Sequence, residues 1–530
     1  MLIILRRAAL TIAAASVALL PLIALNLTHV GSLHLERFRE PTWILYGSLA
    51  LVVLLRRDPA AFAHMWAARL RAILDHPRFF PWMTGIMLAL YLLAAWAQHL
   101  SFHTFSHDFS MIDDALVPRL HRPLLYSPLL GRTFLSEHFS PILAVLVPIH
   151  ALMRSPGLLV VLQPTALWGA VLVLRTILLR SGVSLATTNL ACLVYLNHPV
   201  QIATLLYLFH MECFLPVLAL SAFRYYKEGA NGKYAAMIVL TLAVKEDVGL
   251  YLAAFGMYAA LVERRRALGF LTVAAALGWT AFAIQIAMPS LGDHPAGGYP
   301  FLSRWSAWGH DSGMILWGFL THPVRLVLSL LGWTYLKFFA QVLFVPFFPK
   351  AGVILFFLPW LLPATSGFFQ QQSLGLYYGI PLLTFSTIAG ALGLVSDRFR
   401  KVVSSRLALP AACAAVMLNV SHLSFHEIPR SRPRVLREIS AAIPDTATVQ
   451  AMSCFYPVLG YRREKILIDR ETTRITADYA VLRTERTTWP LPPVEARALV
   501  YSALTSGGYE NRSTVRGFYI LRRVRPAPRR

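Results

Sequence analysis

Charged residues are scarce in this sequence. Asp, Glu, Lys and Arg make up 14% of the 530 residues, whereas hydrophobic residues make up 56%. This composition excludes a soluble enzyme over most of the length, and it excludes a disordered chain or a coiled coil. Apolar runs recur from end to end, and a run of about twenty residues can cross a hydrocarbon core of about 30 Å as a helix. The composition therefore predicts an integral membrane protein.

Cysteine is rare and lacks the spacing of a metal site. Cys192, Cys213 and Cys413 lie in the hydrophobic part of the chain, and Cys454 lies beyond it. The four residues form no CxxC pair. Neither a disulfide framework nor a cysteine-ligated zinc site is therefore predicted.

Acidic residues are few relative to basic residues. The sequence has 49 Lys and Arg against 26 Asp and Glu, which gives a formal net charge of +23. The basic residues lie mostly between the apolar runs or near the end of the chain. Because membrane topology accounts for the first group, nucleic acid is not predicted as a partner.

Thirteen membrane-spanning helices are predicted from the apolar runs. They cover approximately residues 8–28, 42–55, 81–98, 158–178, 184–201, 212–226, 233–244, 248–262, 267–288, 328–347, 351–363, 376–395 and 407–422. The first run is long and is followed by no clear small-residue cleavage site, so we interpret it as an uncleaved anchor. The predicted fold is an all-α polytopic membrane protein.

The positions of Lys and Arg between these spans predict the orientation. With the N-terminus in the cytoplasm, twenty positive charges fall in inner segments and nine in outer loops before residue 425. The inner segments then include the cluster Arg264–Arg266, as the positive-inside rule requires. This count holds only if Ser140–Met153, a short apolar stretch with two prolines, lies along the surface rather than crossing. One large outer loop, residues 99–157, follows from that choice.

The composition changes at about residue 425. Residues 425–530 hold 19 Lys and Arg against 10 Asp and Glu. Strand-like runs at 449–452, 465–469, 479–483 and 517–521 alternate with helix patterns at 433–442 and 493–505. The pattern predicts a small soluble α/β domain, which an odd number of spans places outside. The predicted domains are residues 1–79, a two-helix extension with a cytoplasmic loop, the membrane domain 80–424, and the outer domain 425–530.

Four clusters of ionisable residues stand in apolar surroundings on the predicted outer side. The first is residues 107–114, with Asp108 and Asp113; the second is 136–141, with Glu137 and His138; the third is 209–212, with His210 and Glu212; the fourth is Lys245, Glu246 and Asp247. Ionisable groups at membrane depth are costly, so they indicate function. The fourth cluster falls between two short apolar segments and is predicted to be recessed in a cavity.

These residue types suit chemistry on an anionic, lipid-linked substrate. A carboxylate can take a proton from an attacking hydroxyl, and a lysine or protonated histidine can hold a phosphate leaving group. Structural alternatives exist: a helix cap at Asp108 or Asp113, a hydrogen-bonded pair at His210 and Glu212, and a self-neutralising turn at residues 245–247. His103, His107 and Asp108 have helical spacing, which is compatible with a divalent metal but does not require one.

At the four clusters the sequence resembles DUF2079, a bacterial family of predicted membrane proteins. The corresponding stretches are Asp108 to Asp114, Ser136 to Pro141, Phe209 to Glu212 and Lys245 to Val248, in the family's order, and the resemblance covers roughly residues 80–510. The family shows Gly-Glu-His-Phe-Ser-Pro, Phe-His-Pro-Glu and Lys-Glu-Asp motifs at the last three. Met211 stands where the family has proline, and Asp114 where it has glutamine.

That family in turn looks like the GT-C superfamily of membrane glycosyltransferases. The resemblance implies a polyprenyl-phosphate sugar donor, an envelope glycan, lipid or protein as acceptor, and the outer face of the bacterial cytoplasmic membrane as the place of reaction. It implies Asp108 as the base, with Asp113 beside it. Residues 137, 138, 210, 212 and 245–247 would bind the donor phosphate or substrate. A transporter or lipid-linked-sugar flippase is the alternative, and a scaffold that binds envelope polymer is a third reading.

Overall fold

The computed structural model describes residues 59–292, 299, 301–403, 419, 423, 428–462, 464–485 and 490–524, and the isolated residues 11, 29, 30, 33, 34 and 48. The chain is mostly helical, as predicted. The predicted spans 8–28, 42–55 and 407–422 lie almost wholly outside the described residues. Two short antiparallel strand pairs precede the C-terminal part: β1 (His29–Val30) pairs with β2 (Leu33–His34), and β3 (Tyr126–Ser127) pairs with β4 (Arg132–Thr133).

Most of the described residues before residue 404 are helical. The helices are α1 (Pro59–Leu74), α2 (Phe79–Leu100), α3 (Met111–Ala115), α4 (Leu146–Met153), α5 (Gly157–Arg180), α6 (Leu185–Asn197), α7 (Pro199–Tyr207), α8 (Leu215–Lys227), α9 (Asn231–Leu242), α10 (Val248–Leu261), α11 (Arg266–Phe282), α12 (Met288–Leu291), α13 (Ser312–Thr321), α14 (Pro323–Leu330), α15 (Trp333–Gln341), α16 (Val353–Thr365), α17 (Phe369–Gln372), α18 (Ile380–Leu394) and α19 (Asp397–Val403). Single π turns cover Ser106–Ser110 and Ala283–Ala287, and 3₁₀ turns cover Phe134–Ser136, Pro141–Val145, Met211–Phe214, Leu302–Trp305 and Val345–Phe347.

Three helical stretches of the described residues are long and apolar enough to cross a membrane. They are Phe79–Leu100, Gly157–Arg180 and Arg266–Leu291, and the number rises to five if the bent pairs α6–α7 and α13–α14 each count as one span. Other predicted spans correspond to short helices such as α8, which has 13 residues and a length of about 20 Å. The structure therefore shows a membrane protein with three to five candidate spans, and the count of thirteen stays a prediction.

Helices α10 and α11 pack closely and hold one wall of the recessed turn. A Cβ atom on Gly249 would lie 2.1 Å from the carbonyl oxygen of Ala276, and one on Gly269 would lie 2.5 Å from the backbone nitrogen of Ala260. Small residues permit this approach, as they do between helices in membranes. Thr280 of α11 donates a hydrogen bond of 2.9 Å to the carbonyl oxygen of Glu246. The packing thus fixes residues 245–247 directly before α10.

The C-terminal part forms a five-stranded mixed sheet. Its strands are β5 (Val449–Met452), β6 (Lys465–Ile468), β7 (Tyr479–Arg483), β8 (Tyr509–Asn511) and β9 (Phe518–Arg523), in the order β6-β5-β7-β9-β8, and its helices are α20 (Arg432–Ala442) and α21 (Pro493–Thr505). β5 is parallel to β6 and β7, and β9 is antiparallel to β7 and β8. The predicted strands and helices are confirmed. β8, a polar strand of three residues, was not predicted.

The C-terminal part packs against the segment that follows α2. Phe102 is 3% exposed and belongs to the apolar core of the C-terminal sheet, where its ring meets Phe455 edge-on at 5.3 Å. Arg432 donates hydrogen bonds to the carbonyl oxygens of His99 (3.1 Å) and Leu100 (2.8 Å). These contacts satisfy two carbonyl groups at the end of α2, which have no partner within the helix.

Candidate functional site

Asp108 lies in a strained turn and faces a tyrosine and a histidine. Its backbone has φ 55° and ψ −70°, a combination that is rare for residues other than glycine. Tyr207 donates a hydrogen bond of 2.7 Å to Asp108 Oδ2, and His210 Nε2 lies 4.0 Å from Oδ1. The Asp108 side chain is 19% exposed. A strained backbone conformation persists only where surrounding contacts maintain it, and such residues are concentrated at functional sites.

A second strained residue lies between Tyr207 and His210. Leu208 has φ 76° and ψ −179°, a region that is almost restricted to glycine. The turn at Leu208 ends α7, and the side chains of Tyr207 and His210 on either side of it face Asp108. The backbone on both sides of the Tyr207–Asp108 hydrogen bond is therefore held in an unfavourable conformation.

His210 and Lys245 share the carboxylate of Glu212. His210 Nδ1 contacts Glu212 Oε2, and Lys245 Nζ donates a hydrogen bond of 2.8 Å to Oε1. All three side chains are buried. Burial by itself lowers the pKa of Lys245, but the nearby carboxylates, Glu212 foremost, outweigh it and raise that pKa. Lys245 is therefore charged, and its partner belongs to the third cluster rather than to its own turn.

Glu246 joins the second cluster to the fourth. Its carboxylate is 3.1 Å from His138 Nδ1, accepts a hydrogen bond of 3.0 Å from the backbone N–H of Phe139, and accepts another of 3.0 Å from the Tyr299 hydroxyl. Burial favours a raised pKa, but the interactions of Glu246 with His138 and with Lys245 outweigh it and lower the pKa of Glu246 to about 2. Asp247 differs, because burial raises its pKa. Its carboxylate accepts a hydrogen bond of 3.4 Å from the Tyr251 hydroxyl.

Four of these residues, His138, Glu212, Lys245 and Asp247, border a cavity with charged and aromatic walls. Its lining includes His138, Glu212, Lys245, Asp247, Tyr251, Tyr299, Phe301, Arg304, Trp305, Gln371, Tyr377 and Tyr378. Tyr377 stacks on His210 with ring centroids 3.5 Å apart and donates a hydrogen bond of 3.1 Å to the hydroxyl of Tyr378. Its ring also lies 5.5 Å from that of Tyr207. Tyrosines therefore connect the Asp108 turn to the cavity wall.

Asp113 and Asp114 point away from this cluster and meet the C-terminal part. Asp113 Oδ1 lies 3.0 Å from His150 Nε2 and accepts a hydrogen bond of 3.2 Å from Tyr461. Lys465 donates to Asp114 at 2.9 Å, although burial still raises the pKa of Asp114. The first sequence cluster thus divides into Asp108, which tyrosines connect to the cavity wall, and a pair of aspartates that contacts the C-terminal part.

The family profile of the predicted membrane proteins DUF2079 matches residues 98–517. The chain belongs to the DUF2079 family. The match contains all four clusters and most of the C-terminal sheet. No curated protein matches the chain.

In this DUF2079 protein, Glu137 lies apart from the buried network. It forms an ion pair of 2.8 Å with Arg132, and both side chains are partly exposed. Among the described residues no group of three or more His, Cys, Asp and Glu is arranged to hold a metal ion. The spacing of His103, His107 and Asp108 therefore gives no such group here.

Sequence reasoning missed the residues of the DUF2079 site that are not acids, lysines or motif histidines. Tyr207 precedes the third cluster by two residues and could have been included with it. Arg304 is one of the nine positive charges in the predicted outer loops. Tyr299, Tyr377 and Tyr378 have no local sequence signal. Tyrosines are frequent in membrane proteins, so only the tertiary structure distinguishes these.

Proposed function

We propose that this DUF2079 protein is a membrane glycosyltransferase with a GT-C-like fold. It would transfer a sugar from a polyprenyl-phosphate donor to an envelope acceptor at the outer face of the cytoplasmic membrane. The observation that carries the proposal is the setting of Asp108: a partly exposed carboxylate in a strained turn, fixed by Tyr207 at 2.7 Å and joined through tyrosines to a cavity with cationic side chains.

The proposed reaction is a displacement at the anomeric carbon of the donor sugar. Asp108 takes the proton of the acceptor hydroxyl, and the hydroxyl oxygen forms a bond to the anomeric carbon. The bond from that carbon to the phosphate oxygen breaks, and the polyprenyl phosphate leaves with the electron pair. Cationic groups on the cavity wall stabilise the charge that develops on the leaving phosphate. The sequence prediction gives that task to His138, His210 and Lys245. Of these, His138 and Lys245 line the cavity, and Lys245 is already hydrogen-bonded to Glu212.

The proposal includes the predicted topology. Thirteen spans, a cytoplasmic N-terminus and an extracytoplasmic C-terminal domain would place the Asp108 turn and residues 245–247 at the outer face. Reporters fused after Gly157 and after Arg530 should indicate the outside, and a fusion after Arg266 the inside. An inside signal after Gly157 would contradict the single large outer loop.

The transfer itself is tested in a deletion strain. Mass analysis of lipid-linked sugars and envelope glycans should show that a donor accumulates and a glycan loses a sugar. Wild-type protein should restore the glycan, Asp108→Asn should not, and Asp311→Asn should restore it. Asp311 is a matched control, because it caps α13 by accepting a hydrogen bond of 2.8 Å from the Met314 amide. Donor retained on the inner leaflet would instead support the flippase alternative.

A further inference from the structure

Arg304 is a cation on the cavity wall that no carboxylate of the described residues neutralises. Its guanidinium lies over the rings of Phe301 (4.6 Å), Phe368 (4.7 Å) and Tyr378 (5.4 Å). The hydrogen bond found for this group among those residues is a long one of 3.4 Å to the Tyr378 hydroxyl. A guanidinium carries five N–H donors, so most of its hydrogen-bonding capacity is available to a ligand in the cavity.

Hydrogen bonds to a neighbouring segment hold the chain at Arg304 in place. Gly367 donates a hydrogen bond of 2.6 Å to the Arg304 carbonyl oxygen. The neighbouring Trp305 donates from its indole nitrogen to the Leu362 carbonyl oxygen at 3.1 Å. Aromatic rings around the guanidinium also limit its rotation, which reduces the entropy lost when a ligand binds. The arginine is therefore positioned in advance, as an anion site requires.

Lys245 lies on the same cavity but is less available for an anion. Its ammonium group donates a hydrogen bond of 2.8 Å to the Glu212 carboxylate. Only 6% of each of the two side chains is exposed. An anion that binds Lys245 would have to compete with a buried carboxylate. Of the two permanent cations on the cavity lining, Arg304 is the one whose charge is not already matched.

We propose that Arg304 forms a binding site for the phosphate group of a lipid carrier. A guanidinium recognises phosphate through two parallel N–H···O bonds. The aromatic rings beside it offer an apolar surface for the isoprenoid chain that is attached to the phosphate. Tyr378, Tyr377 and Tyr207 extend from Arg304 to Asp108. The site rests on the proposed function in one respect only: it supplies the group that would hold the leaving phosphate.

The site is tested by binding, without turnover. Farnesyl phosphate is titrated into the purified full-length protein, with farnesol and inorganic phosphate as separate probes. Wild-type protein should bind farnesyl phosphate, and Arg304→Gln should weaken that binding about tenfold or more, as for the loss of a charge-assisted pair. Arg304→Lys keeps the charge but loses the paired N–H donors of the guanidinium, so its affinity for farnesyl phosphate should be intermediate. Competition by inorganic phosphate would show that the headgroup suffices, and its failure to compete that the chain is also required.

Arg325→Gln is the matched control, because Arg325 also lies over a ring, that of Trp308 at 4.4 Å, but does not line the cavity. It should bind as wild type does. Equal binding by wild type and Arg304→Gln, equal binding of farnesol and farnesyl phosphate, or no binding of either phosphate probe would overturn the site. Binding through Arg304 in a protein without transfer would refute only the proposed function. Transfer that persists undiminished in Arg304→Gln would refute only the site.

Discussion

Lys465 Nζ lies 2.8 Å from Asp114 Oδ2, and the two side chains are 2% and 1% exposed. One residue belongs to the sheet of the C-terminal part and the other to the short helix that follows the Asp108 turn. A buried ion pair adds little net stability relative to apolar residues, but the loss of one partner leaves an uncompensated charge. The pair therefore couples the C-terminal part to the segment that carries the candidate base.

Lys465→Met should destabilise the protein strongly, by about 3 to 5 kcal/mol. The double variant Asp114→Asn/Lys465→Met should recover much of that loss, because no buried charge remains. Thermal unfolding of the purified variants measures both. Lys227→Met serves as the control, since Lys227 pairs with Glu263 at 3.4 Å on the surface and its loss should cost less than about 1 kcal/mol. A double variant as unstable as Lys465→Met would show that the two charges are not coupled.

Asp113→Asn should lower stability more than it lowers transfer. Asp113 is hydrogen-bonded to Tyr461 and His150, and the loss of a buried acceptor typically costs about 1 to 3 kcal/mol. Tyr461→Phe, which removes the hydroxyl from the same network, should show a similar loss. The measurements are melting temperature and transfer per folded molecule. Loss of transfer in Asp113→Asn without a change in melting temperature would return Asp113 to the catalytic group.

Asp108→Asn should abolish most transfer and leave the fold intact. Loss of a general base costs about 10² to 10⁴ in rate, whereas the amide preserves the size of the side chain. Tyr207→Phe should lower kcat about tenfold with little change in KM, because the carboxylate loses the donor that orients it. Tyr509→Phe is the matched control: its hydroxyl donates to the Ala477 carbonyl oxygen at 2.8 Å within the C-terminal part. Near-normal turnover by Asp108→Asn would remove it from the base role.

Lys245→Ala should lower the melting temperature and leave farnesyl phosphate binding within about threefold of wild type. The substitution removes the cation that is bonded to Glu212, so a buried carboxylate loses its partner. Lys245→Arg keeps the charge in a different geometry and should be only partly stable. A normal melting temperature together with weakened phosphate binding would assign the phosphate to Lys245 instead.

Acid should destabilise the protein through Glu246. The pKa of Glu246 is lowered from its ordinary value of 4.5 to about 2 in the folded protein. The carboxylate therefore stabilises the fold above about pH 4.5, and this contribution is lost as the pH falls toward 2. The titratable groups around it are His138, Tyr299, Lys245 and Asp247. Between pH 5 and pH 3, Glu246→Gln should lose less stability than wild type, as measured by thermal unfolding at each pH. Equal losses of stability in the two proteins would contradict the assignment to Glu246.

Local sequence patterns predicted the grouping of the clusters better than the direction of their side chains. The structure brings five residues near helix ends into one buried network: His138, His210, Glu212, Lys245 and Glu246. His210 of this network lies 4.0 Å from the partly exposed carboxylate of Asp108. Asp113 follows Asp108 by five residues but pairs with Tyr461, which lies 348 residues away. Arg304 likewise has no periodic neighbours that indicate a cavity. Such contacts depend on tertiary packing, which a local pattern does not contain.

The separation of Asp114 and Lys465 in the chain determines when their contact can form. The two residues are 351 positions apart. At a synthesis rate of about 5 to 20 residues per second, Asp114 precedes its partner by roughly 20 to 70 s. Throughout that interval the nascent turn around Asp108 lacks the support of Lys465 and Tyr461. The segment around Asp108 is therefore synthesised early but reaches its native contacts late. Misfolding of the last hundred or so residues should disturb the conformation of this segment first.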